Sequence, residues 1–231
     1  MLPFQMRNLL LNSLLILLIF NSCSPAILKN FRKEDSYSVN RNYFYPFFPS
    51  VDSTQLFNMQ IDFRKNHFSG ILIIKSTEPE VYKIVFNTYF GMSVFDMEFD
   101  KGFFRMNYCI EALNKKRVLE VFENDFRILL FLNLEKDQNY SDIYRNKRNP
   151  ALEINRTKKI YYLKDIKNET LLAIEAPHFI SSLSYCFSDY IDRFPSVIKI
   201  NHSRIGLKMQ LEKIQPHFEA PQDVQVKQPS P

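Results

Sequence analysis

The stretch from Phe68 to Phe131 constrains the fold most, because large apolar residues recur there at every second position. Three successive segments show the pattern, and their apolar residues are Tyr82, Ile84 and Phe86; Phe95, Met97 and Phe99; and Phe104, Met106 and Tyr108. Neighbouring side chains on a strand point to opposite faces, so each segment predicts a strand with one apolar face and one largely polar face. The links Thr77–Glu80, Asn87–Gly91 and Asp100–Gly102 are short, which requires antiparallel neighbours. The stretch therefore predicts an antiparallel meander with one apolar face.

An amphipathic helix is predicted directly after this meander. Within Asn114–Phe131, the apolar residues Val118, Phe122, Phe126 and Leu129 follow one another at spacings of four, four and three. That spacing places them on one face of a helix. Asn114 is a suitable N-cap residue for this helix. We expect the helix to cover part of the apolar face of the sheet.

Further strands are predicted on both sides of the meander. The clearest alternation lies in Gln55–Arg64, where Phe57, Met59, Ile61 and Phe63 alternate with polar residues. After the helix, a looser series of strands is predicted at Tyr140–Tyr144, Lys159–Leu163, Leu171–Ala176, Ser182–Ser188, Val197–Asn201 and Ile205–Leu211, with a turn at His202–Arg204. The fold class predicted from these patterns is mainly β, with enough helix to be called α+β.

The two ends of the chain do not fit this pattern. Residues 1–22 carry Arg7 and an apolar run from Leu9 to Phe20, which is short for a membrane-spanning helix and is typical of a signal peptide. Cys23 follows a small residue directly after that run, which resembles the bacterial lipobox and implies cleavage before Cys23 and its acylation. An ordinary signal peptide and a short anchor helix are the alternatives. If Cys23 is acylated, it anchors the chain to a membrane.

Residues 23–54 are predicted to form an extended tether, and residues 215–231, rich in Pro and Gln, a disordered tail. The folded domain is predicted to span residues 55–214. The aromatic group Tyr43–Phe48 in the tether is too apolar for a free coil. We expect it to pack against the edge of the domain or, alternatively, to lie at a membrane interface.

Composition and motifs disfavour several functional classes. The 30 basic and 25 acidic residues are interspersed, whereas nucleic-acid binding usually needs a concentrated basic surface. The four histidines are scattered, and no metal-ligand spacing, phosphate-binding loop or nucleophile motif occurs. Asp96 and Glu98 share one strand face, but as outer partners of Phe95, Met97 and Phe99 they are more simply solvated. The sequence therefore predicts a non-enzymatic protein without a cofactor or a metal.

Cys109 and Cys186 form either a disulfide or two free thiols, and free thiols are favoured slightly.

Two parts of the chain resemble the LolB family of the LolA/LolB lipoprotein-carrier superfamily. The run from Tyr82 to Gly91, followed by a strand that ends in Asp96–Phe99, is similar to a Tyr-basic-aliphatic strand that leads into a loop with an apolar residue directly before a Gly. The segment from Pro195 to Leu211 is similar to the last hairpin of the family. The amphipathic helix lies between the two matches, as it does in the family. LolB is an outer-membrane lipoprotein that receives other lipoproteins and inserts them.

The resemblance implies an unclosed antiparallel β-barrel, with a helix covering a concave apolar face that takes acyl chains. We expect nine residues to line that face, namely Phe57, Met59, Ile61, Phe63, Ile84, Phe86, Phe95, Met97 and Met106. The resemblance also places Phe90, one residue before Gly91, on a loop that enters the bilayer. The alternative for Phe90 is a core plug folded onto the barrel rim. Ser24–Ala26 contains no acidic residue, so we expect a lipid-anchored domain on the outer membrane that faces the periplasm.

Two functions from different classes fit these patterns. In the first, the protein is a carrier that binds lipid or lipoprotein acyl chains in the half-barrel and participates in lipoprotein localisation. In the second, the same scaffold has a filled core, and its outer face binds a protein partner in the periplasm. The sequence leaves both open.

Overall fold

The structure, a computed structural model, describes residues 26–39, 51–134, 139–177, 182–191 and 194–215. Within these ranges it contains a 3₁₀ turn at Ala26–Leu28, one α-helix and thirteen strands. The first strands are β1 (Phe31–Val39), β2 (Ser53–Phe63), β3 (Asn66–Glu78), β4 (Val81–Thr88), β5 (Ser93–Asp100) and β6 (Phe103–Cys109). The helix α1 (Lys116–Leu129) comes next, followed by β7 (Asn139–Asn146), β8 (Leu152–Thr157), β9 (Ile160–Asp165), β10 (Thr170–Pro177), β11 (Ser182–Ile191), β12 (Phe194–His202) and β13 (Leu207–Lys213).

The thirteen strands of the described ranges form one antiparallel sheet. Their order is β1-β7-β8-β9-β10-β11-β12-β13-β2-β3-β4-β5-β6. The last strand, β13, pairs with β2, so the two series of strands on either side of α1 join into a continuous surface. Among the described residues β1 and β6 are the edges and do not pair with each other, so the sheet is unclosed. The predicted fold class, an unclosed antiparallel barrel with a covering helix, is confirmed.

The predicted meander is present as β3 to β6. Ile84 pairs with Met97, and Met97 pairs with Met106, so the apolar residues of neighbouring strands share one face. The turn predicted at Asp100–Gly102 is also present, because β5 ends at Asp100 and β6 begins at Phe103. Both central residues, Lys101 and Gly102, have positive φ angles of 48° and 95°. Positive φ at both positions matches the right-handed twist of the strands that such a turn connects.

Helix α1 packs its apolar face against the sheet, as the spacing predicts. Val118, Phe122, Phe126 and Leu129 are all buried. The helix begins two residues later than Asn114, and its N-cap is Lys115, which makes no side-chain capping bond. The prediction of Asn114 as the N-cap is therefore wrong. The basic residues that begin the helix remain exposed to water.

Two strands were not predicted from the sequence. Residues 31–39, expected to be part of an extended tether, form β1, which pairs with β7 along its length. This part of the predicted tether therefore belongs to the sheet. β8 was not predicted, since only two of its residues, Leu152 and Ile154, are apolar, and the polar Glu153 and Asn155 are buried together with Ile154. The predicted signal peptide, the aromatic group Tyr43–Phe48 and most of the predicted tail lie outside the described residues.

Candidate functional site

The predicted lining residues lie together on the concave face of the sheet. Eight of the nine are at most 6% exposed, and Met106 is partly buried against the same cluster. These eight residues are Phe57, Met59, Ile61, Phe63, Ile84, Phe86, Phe95 and Met97. The concave face is therefore the interior of the protein. Whether it accepts a lipid remains a prediction.

Helix α1 occupies the space over this face. The ring of Phe95 lies 5.2 Å from that of Phe122 and 6.3 Å from that of Phe126, measured between centroids. At the helix end, the guanidinium of Arg127 lies over the Phe99 ring and donates to the carbonyl of Gly102. Seven of the eight buried lining residues are wholly inaccessible to water, and Phe63 is 6% exposed. An acyl chain can contact them only if α1 moves or side chains rearrange.

One acidic residue, Asp125, lies on the buried side of α1. Its Oδ2 is 2.7 Å from Nε2 of His202, and its Oδ1 accepts a hydrogen bond of 3.1 Å from the hydroxyl of Tyr185. Burial raises the pKa of Asp125, and the hydrogen bond and charge of His202 oppose that shift. Burial also raises the pKa of the Tyr185 hydroxyl well above its ordinary value. These contacts join α1 to β11 and β12, which β13, β2, β3 and β4 separate from β5 in the sheet.

The sequence did not predict the contacts among Asp125, Tyr185 and His202, and it placed His202 in a turn. In the structure His202 is the last residue of β12 and is 2% exposed. A signal was present, because Asp125 follows Phe122 by three residues and precedes Leu129 by four, which places it on the apolar helix face. A lone carboxylate there requires a buried hydrogen-bonding partner.

The turn between β4 and β5 carries Phe90, whose side chain is 100% exposed. Tyr89 and Met92 on the same turn are each 57% exposed. The turn is closed by hydrogen bonds from Gly91 N to Thr88 O at 2.9 Å and from Thr88 N to Met92 O at 2.8 Å. Gly91 has a φ of 80°, a conformation that glycine adopts most readily. Phe90 therefore projects from the sheet and does not fill the core in this structure, and its contact with a membrane remains a prediction.

The chain has three cysteines, of which Cys23 is the predicted lipidation site. Cys109 and Cys186 are both free, and burial raises the pKa of the Cys109 thiol to about 11. Cys23 lies outside the described residues.

The described part of the chain contains no group of three or more side chains placed to hold a metal ion. It also contains no helix that is both long and apolar enough to cross a membrane.

Comparisons with known proteins give little further information. No protein-family model matches the chain. No curated protein matches it in sequence. One similar solved structure is a domain from Vibrio parahaemolyticus that is provisionally described as an outer-membrane lipoprotein-sorting protein. The similarity covers 71% of this chain and 84% of that chain, at 6% sequence identity and a TM-score of 0.25.

Proposed function

We propose that this protein is a lipid-anchored carrier of the outer membrane that binds lipid or lipoprotein acyl chains on the concave face of its sheet. In this proposal Cys23 is acylated, the domain faces the periplasm, and the bound chain lies between the sheet and α1. The turn that carries Phe90 contacts the bilayer when cargo is received or delivered. The proposed function requires no catalytic residue and no cofactor.

The observation that carries the proposal is the complete exposure of Phe90 on a closed turn. Burial of a Phe side chain is worth roughly 1.5–3 kcal/mol, so a turn that holds one in water gives up this stabilisation. Tyr89 and Met92 enlarge the patch, and contiguous exposed apolar residues commonly mark membrane or protein contacts. An apolar interior lies directly behind the turn, since β4 and β5 contribute Phe86 and Phe95 to it.

The position of α1 also supports a carrier. The helix is amphipathic and covers the concave face, so its outward movement would expose a continuous apolar surface. Such a surface is unfavourable in water and favourable around an acyl chain, because the chain replaces the apolar contacts that the helix gives up.

A specific observation favours the second candidate, a scaffold with a filled core. The nearly complete burial of the lining residues, with Phe122 and Phe126 packed on Phe95, is what a permanently packed core requires. In that case the outer surface, including the exposed turn, would bind a protein partner in the periplasm.

Native mass spectrometry after mild detergent extraction separates the two candidates. The carrier predicts that lipid or acylated species co-purify with the full chain and are released on unfolding. A protein that is consistently free of lipid after extraction from its own membranes contradicts the carrier and favours the scaffold. The Cys23→Ser variant controls for the mass of the anchor itself, since it lacks the covalent lipid but keeps the domain.

A further inference from the structure

The concave face changes from apolar to polar where it crosses β7, β8 and β9. Tyr162 on β9 belongs to the core cluster and pairs with Asn155 on β8, so the side chain of Asn155 points into the same interior. Alternate residues of β8 share that direction. The polar residues of this region are all at most 5% exposed and are Ser141, Glu153, Asn155, Thr157 and Lys164. We refer to these five residues as the polar strip.

Most of the polar strip is satisfied by contacts within the protein. Glu153 forms a 3.0 Å ion pair with Arg145 and accepts a 2.8 Å hydrogen bond from the amide of Asn155. The hydroxyl of Ser141 donates to Asn155 at 3.4 Å. Burial lowers the pKa of Lys164, and the nearby Glu153 opposes that shift. These contacts fix the strip as a rigid polar surface.

Two buried polar atoms at this end have no hydrogen-bond partner within the described ranges, Oγ1 of Thr157 and Oδ1 of Asn133. The side-chain amide N–H of Asn133 donates to the hydroxyl of Tyr162 at 2.9 Å, and Nζ of Lys158 donates to the backbone carbonyl of Asn133 at 3.5 Å. Asn133 therefore lies over the β8–β9 hairpin, where Thr157 pairs with Ile160. A buried polar atom without a partner costs about 1–3 kcal/mol, and native proteins contain few of them.

The chemistry of the two atoms is complementary. The Thr157 hydroxyl can donate one hydrogen bond, whereas the amide oxygen of Asn133 only accepts. Around the strip, Glu153 and Glu169 act on the cations Arg145 and Lys164, and the exposed Lys158 lies beside Asn133. Because one of the two atoms can donate and the other only accepts, a group that offers one carbonyl and one O–H or N–H suits the site.

The apolar region begins next to the polar strip. The ring of Phe131, just after α1, stacks on that of Tyr162 with 6.3 Å between centroids. Resting on the carrier function proposed above, we propose that the polar strip binds the polar end of the same amphiphile. An ester or amide carbonyl accepts the hydrogen bond of Thr157, a neighbouring hydroxyl or N–H donates to Asn133, and the acyl chain extends beneath α1.

The test compares two probes that share a twelve-carbon chain, 1-lauroylglycerol and 1-chlorododecane. The first has the carbonyl and the hydroxyls, and the second has neither. Dissociation constants are measured for the wild-type chain, for Thr157→Val, which removes the hydroxyl at nearly constant volume, and for Thr157→Ser, which keeps it. Thr54→Val, an exposed threonine on β2, is the matched control. For each probe, the dissociation constant of the variant is divided by that of the wild type. This ratio does not depend on the different aqueous solubilities of the two probes.

We expect Thr157→Val to weaken 1-lauroylglycerol binding by about two- to ten-fold, as expected for the loss of one hydrogen bond, and to leave 1-chlorododecane within two-fold. Thr157→Ser and Thr54→Val should bind both probes as the wild type does. If Thr157→Val unfolds the chain, Thr157→Ala tests the same point.

Three results overturn the proposal, and they differ in meaning. Unchanged binding of both probes by Thr157→Val shows that the strip does not contact the ligand, although the carrier function stands. Unchanged binding together with a lower free energy of unfolding shows that an ordered water alone satisfies Thr157. Binding of neither probe by the wild type removes the proposed carrier function itself.

Discussion

Nε2 of His202, at the end of β12, lies 2.7 Å from Oδ2 of Asp125, in the middle of α1, and both side chains are buried. Tyr185 on β11 donates to the other carboxylate oxygen. The neighbouring side chains Phe122 and Phe126 of α1 pack against Phe95 of β5. The helix is therefore held by apolar contacts to one part of the curved sheet and by polar contacts to another.

Removal of the Asp125 carboxylate should destabilise the fold. In Asp125→Ala the side chains of His202 and Tyr185 lose this acceptor, so the free energy of unfolding should fall by roughly 1–3 kcal/mol for each buried group that is left without a partner. Denaturant unfolding measures the change. Glu120→Ala, an exposed acid on the same helix, is the matched control and should change stability by only about 0.5 kcal/mol. Equal effects of the two variants would contradict the role of the buried contact.

The same carboxylate should make stability depend on pH. Burial raises the folded-state pKa of Asp125 above 3.8. The Asp125 carboxyl therefore binds a proton more tightly in the folded protein than in the unfolded chain. Its contribution is fully present below pH 3.8 and is lost as the pH rises through the folded-state pKa. Asp125→Asn lacks this titration. As the pH rises, the free energy of unfolding of the wild type should therefore fall relative to that of Asp125→Asn. A difference between the two that does not change with pH would contradict a raised pKa of Asp125.

Truncation of the concave face distinguishes a packed core from a lipid-binding one. Phe86→Ala and Phe95→Ala should each cost about 3–5 kcal/mol if the core is permanently packed, and Met97→Ala about 2–5 kcal/mol. If lipid occupies this face in the native protein, the losses should be smaller and lipid retention should change. Chemical denaturation and native mass spectrometry of the same samples give both quantities. Large losses of stability with unchanged lipid retention would favour the scaffold.

Substitution of the exposed turn tests membrane contact. Phe90→Glu should fold normally, with stability within about 0.5 kcal/mol of the wild type, because Phe90 is fully exposed. The variant should still bind cargo but should fail to deliver it to liposomes. Phe103→Glu, on edge strand β6, is a suitable control because Phe103 is 81% exposed and lies outside the turn. Normal delivery by Phe90→Glu rules out the membrane role, and loss of folding would show that Phe90 packs in the core.

The proposed anchor is tested at Cys23. Cys23→Ser should abolish metabolic labelling with a fatty acid and should move the protein from the membrane fraction to the soluble periplasmic fraction. The domain should fold in the variant, because Cys23 precedes every strand of the sheet. Protease added to intact cells should not cleave the wild-type protein if the domain faces the periplasm. Unchanged labelling and fractionation in the variant would remove the lipoprotein assignment.

Patterns that repeat over a few residues determined much of this fold in advance. The alternation in β2, β4 and β5, the helical spacing of Val118, Phe122, Phe126 and Leu129, and the turn at Asp100–Gly102 appear as predicted. In β6 the alternation holds as far as Met106, but a register shift places Tyr108 opposite Asp96, and Tyr108 is 48% exposed, so its predicted place on the apolar face is wrong. Side-chain direction in a strand or a helix depends on local backbone geometry, and for this reason the sequence alone identified the residues of the apolar interior.

Tertiary structure decided what local patterns do not encode. β1, with the sequence FRKEDSYSV, alternates too weakly to be identified as a strand, and it joins the sheet because β7 offers it a pairing edge. β8 contains only two apolar residues, Leu152 and Ile154, and its polar residues Glu153, Asn155 and Thr157 are buried as well, which no local pattern indicates. Asp125 and His202 are 77 residues apart, and only the curvature of the sheet brings them together. Asn133 and Tyr162 are likewise brought together in the folded chain, since contacts between distant residues depend on strand order and not on any local repeat.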